Sequence, residues 1–171
     1  MYQYRNNIPA ILLILFCLPV ICLAQENGGK QEVIGIQTKT GVKVVYHIKV
    51  SETEKDVVSD GVAELRHLVN IYEMQGVTKD NREIHGVFDD DGAICVFNDD
   101  AYANFAKGKT NPNASIIRDL INKGVQIEVC GQRLSRDSLS ANDVLPGVQV
   151  VLSGQVRVID LQHQGCSYFR F

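Results

Sequence analysis

The chain has 171 residues, of which 45% are hydrophobic and 22% charged, and its formal net charge at pH 7 is −3. This length is typical of one domain with an ordinary core. A mildly acidic chain without a basic run argues against nucleic acid as a partner.

Residues 1–24 have the pattern of a secretory signal peptide. Arg5 precedes an almost wholly apolar stretch, and small residues stand three before and immediately before Gln25. A membrane anchor is the alternative, but the stretch is at the short limit for a spanning helix and contains Pro9 and Pro19. We therefore expect cleavage, a periplasmic or secreted protein, and no membrane span in the mature chain.

The remaining chain is predicted to consist of a flexible leader, residues 25–40, and one domain, residues 41–171. The first strand is predicted at Val42–Ile48 from its β-branched and aromatic residues. A capping box at Ser51–Glu54 and apolar residues at helical steps from Val58 to Tyr72 predict a helix that follows it.

Strands and helices continue to alternate up to the end of the chain. The segment 93–97 is apolar, and its period does not separate helix from strand. Further strands are predicted at Glu83–Phe88, Val125–Cys130, Val148–Leu152 and Ser167–Phe171, and helices at Asp99–Ala106, Asn113–Lys123, within Arg133–Asn142, and at Gln155–Gln164. The alternation predicts an α/β fold: a mostly parallel sheet, buried on both sides, with helices on both faces.

Cys130 is the strongest candidate for a reactive residue. It ends a predicted strand, and ligand crevices in open α/β sheets lie at the carboxyl ends of the strands. If a helix begins at Gly131, its backbone amides and positive dipole end favour the thiolate, which is the nucleophilic form. Arg133 and Arg136 add positive potential. The alternative is a small buried core residue, because cysteine is among the most buried residue types.

The rest of the tentative crevice consists of residues near the ends of neighbouring strands: Gly131, Gln132, His47, Asp89 and Ser153. His47 has a simpler interpretation as a hydrogen-bonded strand-end histidine. Asp89 belongs to an acidic turn of a kind that usually faces water, and Ser153 suits a helix cap.

Cys95 and Cys166 are the other cysteines of the predicted domain. Cys95 is interpreted as core, and Cys166 either as a packing residue, which we favour, or as a disulfide partner of Cys130. The cysteine spacings fit neither a redox pair nor a zinc motif, and the histidines form no ligand motif, so no metal and no cofactor are expected.

Several segments together resemble the DsrE/DsrF-like sulfur-relay family over most of the domain, from about Val42 to Tyr168. The resemblance rests on their order and spacing: Val129–Gln132, Asp143–Val148, Leu161–Gly165 with Tyr168, and Phe97–Tyr102 followed by Asn111–Asn113. Relatives often place His-Gly after the second strand, where this chain has Asp89-Asp90, while His85-Gly86 falls inside the strand.

The resemblance implies a compact α/β sandwich around a parallel sheet of about five strands, and a homo-oligomer, trimeric or hexameric. It also implies that Cys130 carries sulfur as a persulfide between a donor and an acceptor protein. The first hypothesis is therefore an exported sulfur carrier or sulfurtransferase. The second is a non-catalytic oligomeric domain that binds a ligand or a protein. A thiol redox protein is a third, and it needs Cys130 to pair with Cys95 or Cys166.

Overall fold

A computed structural model describes residues 33–51, 57–107 and 109–171. Its centre is a five-stranded sheet in the order β4-β3-β2-β1-β5, in which all four pairings are parallel. The α/β class, the mostly parallel sheet and the helices on both faces are therefore confirmed. The predicted signal peptide lies outside the described residues, and within them no helix is long and apolar enough to cross a membrane.

Within the described residues, the regular structure consists of five strands and five α-helices, and three short 3₁₀ segments connect them. The strands are β1 Val42–Ile48, β2 Arg82–Phe88, β3 Gln126–Cys130, β4 Gln149–Val151 and β5 Ser167–Arg170. The helices are α1 Asp60–Met74, α2 Asp99–Phe105, α3 Ala114–Asn122, α4 Gly131–Arg136 and α5 Gly154–His163, and the 3₁₀ segments are Lys79–Asn81, Asp90–Val96 and Ala141–Asp143.

Side chains alternate between the two faces of the sheet, as the strand geometry requires. One face, here called the large-core face, packs against α1 and α3 and holds most of the apolar core, including Tyr46, Phe88 and Ile127. The opposite face, here called the α5 face, has a smaller apolar cluster of Val45, Val87, Val158, Leu161 and Cys166. The α5 face also carries the polar and charged side chains of the candidate functional site.

The first helix begins later than the sequence predicts. Its first residue is Asp60 and Ser59 is its N-cap, so the capping box predicted at Ser51–Glu54, part of which lies outside the described residues, does not start it. The predicted end is confirmed, because Gly76 has a φ of 79°, the left-handed conformation that glycine adopts after a helix.

Two further predictions differ from the structure in detail. The undecided segment 93–97 belongs mostly to the 3₁₀ segment Asp90–Val96. The predicted strand Val148–Leu152 shortens to β4, an edge strand that contains Gln149 and is largely exposed. An edge strand has one neighbour only, so its outer side is not covered as the prediction of burial on both sides required.

Candidate functional site

Cys130 lies where the sequence places it, at the carboxyl end of a central strand. It is the last residue of β3, and α4 begins at the next residue. Its side chain points to the α5 face, as does that of Glu128 two residues before it. The residue is only 4% exposed.

A polar pocket of about 150 Å³, here called the cysteine pocket, gives Cys130 its remaining exposure. It lies where β2, β3 and β4 end. Its lining consists of Asp89, Asp90, Cys130, Gln132, Arg133, Arg136, Ser153 and Gln155. The structure thus brings Asp89, Gln132 and Ser153 of the tentative crevice to Cys130. Gln155 is a pocket residue that the sequence analysis missed, and its position one residue after the start of α5 is the signal that was available.

Charges of both signs line the cysteine pocket and are largely paired. Arg133 forms ion pairs with Asp91 at 3.2 Å and with Asp137 at 2.7 Å. Asp90 is paired with Lys49 at 2.7 Å, and the hydrogen bond from Lys49 lowers the pKa of Asp90, to which the charge of Arg136 also contributes. The pocket therefore combines two guanidinium groups with two carboxylates.

His47 does not line the cysteine pocket but lies behind Asp89. Its Nε2 is 3.5 Å from Asp89 Oδ2 and its Nδ1 is 3.3 Å from the Tyr168 hydroxyl. Burial lowers the pKa of His47, and the nearby Asp89 carboxylate offsets part of that effect. His47 is therefore neutral at pH 7 and contacts the pocket only through Asp89, which agrees with the simpler interpretation of a hydrogen-bonded strand-end histidine.

Asp89 is held in place from two sides. Its Oδ1 accepts a hydrogen bond from the Asp90 amide at 2.8 Å. Its carboxyl group also packs against the start of α5, where a Cβ on Gly154 would lie 3.0 Å from Asp89 Cγ. Ser153 is the N-cap residue of α5 by position, but its side chain makes no capping hydrogen bond.

Gly131 does not line the cysteine pocket, which corrects the tentative crevice. It borders a separate cavity of about 560 Å³ between α4 and β4, to which Gln132, Leu134 and Val150 also contribute. A Cβ on Gly131 would lie 2.9 Å from the Val151 carbonyl oxygen. Glycine at this position therefore permits the close approach of β4 to the start of α4.

Cys95, Cys130 and Cys166 are all free and buried. Cys95 belongs to the large-core face, while Cys130 and Cys166 share the α5 face at opposite ends. By the strand register, Cys166 lies level with Glu83 and Cys130 level with Asp89, and six residues of a strand span about 20 Å. Because a disulfide needs Cα atoms within about 7 Å, Cys130 and Cys166 cannot pair within one chain. Cys166 belongs to the small apolar cluster of the α5 face.

A chain of charged residues on the α5 face was not predicted from the sequence. Arg157 donates to both carboxylate oxygens of Glu128, at 2.6 and 3.0 Å, and His85 Nδ1 lies 2.7 Å from Glu128 Oε1. His85 Nε2 lies 3.1 Å from Glu83 Oε1, and Lys43 pairs with Glu83 Oε2 at 2.9 Å. The available signal was a glutamate at the centre of an apolar strand, which needs a partner when it is buried.

Comparisons with known proteins agree with this fold. A model of the DsrE/DsrF-like family matches residues 64–171. Among solved structures, the chain is similar to a protein of unknown function, MTH1491 from Methanobacterium thermoautotrophicum, with 23% identity and a TM-score of 0.53 over 76% of this chain and 99% of that chain. It is also similar to the ychN protein from E. coli, with 10% identity and a TM-score of 0.53 over 76% of this chain and 100% of that chain. Among curated proteins, none matches this chain.

Proposed function

Because the chain belongs to the DsrE/DsrF-like family, we propose that it is a sulfur carrier or sulfurtransferase that holds a sulfane sulfur as a persulfide on Cys130. The observation that carries this proposal is the cysteine pocket, in which one thiol at a strand end meets a small polar cavity. We further propose that the protein is exported by way of its first 24 residues and acts as a homo-oligomer with a sulfur donor and an acceptor.

The chemistry needs no cofactor. The Cys130 thiolate attacks a sulfur atom of a polysulfide or of a donor persulfide, a new S–S bond forms, and the old S–S bond breaks. The leaving group, a shortened polysulfide or the donor thiolate, takes the electron pair of the broken bond. An acceptor thiolate then attacks the outer sulfur and restores Cys130. Sulfur passes on with no net oxidation or reduction.

The pocket has room for a small sulfur-bearing group. Its volume of about 150 Å³ exceeds the roughly 30 Å³ share of one water molecule several-fold, so an added sulfur atom and the end of a donor fit. Arg133 and Arg136 bring positive charge to the pocket, and Gln132, Ser153 and Gln155 offer hydrogen-bond donors. Asp89 and Asp90 oppose this potential, so the lining holds two acidic and two basic side chains.

Polysulfide loading followed by intact-mass measurement tests the proposal. We expect wild-type protein to gain the mass of one sulfur atom, removable by a reductant, and Cys130→Ser to gain none. Cys166→Ser is the matched control, because it removes the other thiol of the α5 face and leaves the cysteine pocket intact. Equal uptake by Cys130→Ser, or no uptake by the wild type, contradicts a carrier role.

The burial of Cys130 favours a second function, a non-catalytic oligomeric domain that binds a ligand or a protein. A thiol that is 4% exposed reacts slowly, and the 560 Å³ cavity beside Gly131 falls in the size range of small-molecule sites. The two functions separate in the same experiment: a Cys130 that takes up no sulfur and resists alkylation in the native protein supports the binding domain.

A further inference from the structure

We propose that Glu83, His85 and Cys166 form a binding site for one zinc ion on the α5 face. This site is distinct from the cysteine pocket and does not rest on the proposed sulfur chemistry. One ligand atom from each residue, a carboxylate oxygen, an imidazole nitrogen and the thiol sulfur, lies within 4.8 Å of the other two. Carboxylate, imidazole and thiolate are the three kinds of ligand that Zn²⁺ takes in proteins.

The topology brings these three residues together from distant parts of the chain. Glu83 and His85 are two residues apart on β2, so their side chains project from the same face of the sheet. Cys166 immediately precedes β5, which pairs with β1 in a register that places it level with Lys43 and Glu83. Gly165, with a φ of 92°, makes the turn between α5 and Cys166. No sequence motif reveals the site, because its ligands are separated by the whole of β3, β4 and α5.

His85 is oriented as a metal ligand. Its Nδ1 lies 2.7 Å from the fully buried carboxylate of Glu128, which Arg157 holds through two hydrogen bonds. An ionised carboxylate only accepts, so Nδ1 carries the proton and donates it. Nε2 lies 3.1 Å from Glu83 Oε1, and whenever the ring carries a single proton, on Nδ1, Nε2 offers its lone pair on the Glu83 side. A carboxylate that fixes the far nitrogen of a histidine in this way is the usual support of a zinc-bound imidazole.

Small side-chain movements complete the site. Ligand atoms around a tetrahedral zinc ion lie about 3.4 Å apart, and His85 Nε2 is already 3.1 Å from Glu83 Oε1. The Cys166 sulfur lies within 4.8 Å of both other ligand atoms, and a change in its side-chain torsion brings it closer. The Gln126 side-chain nitrogen is 3.3 Å from His85 Nε2, and rotation of this amide by 180° offers an oxygen as a fourth ligand. A water molecule is the other candidate for that position.

The local charges also suit a divalent cation. Glu83 and a Cys166 thiolate supply two negative charges to the ion, and Lys43 adds one positive charge beside them. Lys43 binds Glu83 through Oε2 and leaves Oε1 for the metal. The Glu83 side chain is 33% exposed while the His85 side chain is 2% exposed, so an ion can enter from the Glu83 side and meet a buried histidine. On binding, the thiol of Cys166 releases its proton to solvent.

The alternative is a purely protein network, in which a doubly protonated His85 bridges Glu83 and Glu128 and no metal binds. Competitive titration with Zn²⁺ against a chromophoric chelator, and the absorption spectrum with Co²⁺, decide between the two on the untagged protein. We expect one ion per chain, and a thiolate-to-cobalt charge-transfer band in the near ultraviolet.

Two variants and a control locate the ion. Cys166→Ser is expected to abolish the cobalt band, and both Cys166→Ser and the more exposed Glu83→Gln are expected to weaken Zn²⁺ binding at least tenfold. Cys130→Ser, the same change at the other end of the same face, keeps the band and the wild-type affinity. Absence of binding by the wild type, unchanged affinity in either ligand variant, or a band lost with Cys130→Ser overturns the proposal.

Discussion

The molecule buries the carboxylate charge of Glu128, and individual partner residues stabilise it. Glu128 is completely buried at the centre of β3. Burial alone would raise the pKa of its carboxyl group, but hydrogen bonds from His85 and Arg157 outweigh burial, and the pKa of Glu128 is lowered. Glu128 is therefore ionised in the folded protein at neutral pH. Its charge is tolerated only because both partners are present.

Substitution of Arg157 by methionine tests this dependence. Arg157→Met removes the bidentate partner and leaves Glu128 with His85, so we expect a loss of about 3 kcal/mol in the free energy of unfolding at pH 7, the scale found when a buried ion pair loses one member. The control is Arg66→Met on the exposed side of α1, where a surface change is worth about 0.5 kcal/mol or less. Urea denaturation of both variants measures the difference.

The pH dependence of the stability difference between the wild type and Arg157→Met tests whether Glu128 is the group responsible. A carboxyl group whose pKa is lowered by folding stabilises the folded state above its ordinary pKa of about 4.3 and loses that contribution as the pH falls through the lowered value. The difference between the wild type and Arg157→Met should therefore be largest above pH 5 and shrink on acidification. A difference that stays constant from pH 7 to pH 3 would falsify the assignment to Glu128.

Residue by residue, the sequence predicted the position of Cys130 and the approach of Asp89, Gln132 and Ser153 to it. These predictions rest on one topological rule, that the ends of parallel strands meet at one edge. The network of His85, Glu128 and Arg157 could not be predicted in the same way. It depends on the register of β2 against β3 and on the rotation of α5 about its axis, and neither is encoded locally.

At the scale of elements, the alternation of strands and helices followed from the local pattern, and the differences arise where tertiary contacts decide. Asn113 occupies the predicted N-cap position of α3, yet its side chain makes no cap and instead accepts a hydrogen bond from the Ser59 amide at 2.9 Å. This contact connects the start of α1 to the start of α3. The edge position of β4 likewise depends on the strand order, which its own sequence does not contain.

The 3₁₀ segment after β2 shows how closely two elements approach. A Cβ on Gly92 would lie 2.2 Å from the carbonyl oxygen of Ile48 at the end of β1, a backbone atom that also accepts from the Asp89 amide. No side chain can move to relieve this contact. The glycine is therefore required by the crossing of the 3₁₀ segment over the end of β1.

Gly92→Ala is accordingly expected to destabilise the protein by about 3 kcal/mol, at the upper end for overpacking in a core, because the backbone itself has to shift. Gly35→Ala serves as the control, since its Cβ would meet only the end of the flexible Gln75 side chain, at 3.2 Å. Thermal and urea unfolding of the two variants provide the comparison. Equal stability of both alanine variants would contradict the close approach.

At the scale of the whole molecule, the two faces of the sheet are covered unequally. The large-core face packs against α1 and α3, whereas α5 is the helix whose apolar residues, Val158 and Leu161, cover the opposite face in the described part of the chain. Two apolar residues of α5, Val156 and Ile159, face outward, and Leu152 stands exposed just before the helix. Val156 and Ile159 are three residues apart on the helix and are 55% and 53% exposed, and Leu152 is 87% exposed.

Apolar side chains that share one exposed surface are typical of a contact with another protein. We expect that this surface, Leu152, Val156 and Ile159, joins copies of the chain in a homo-oligomer. The double variant Leu152→Lys/Ile159→Lys places two charges there, and burying unpaired charges opposes association. Sedimentation equilibrium should then show the mass of one chain for the variant and a multiple of it for the wild type.

The control for that experiment is Met74→Lys at the end of α1, because Met74 is 78% exposed and belongs to the helix that packs on the large-core face. It adds the same lysine to an exposed apolar position away from α5, so any general effect of charge on solubility appears in both proteins. Assembly that survives the double variant, or that is lost equally with Met74→Lys, places the contact elsewhere. A wild type that sediments as one chain at every concentration contradicts the expected homo-oligomer.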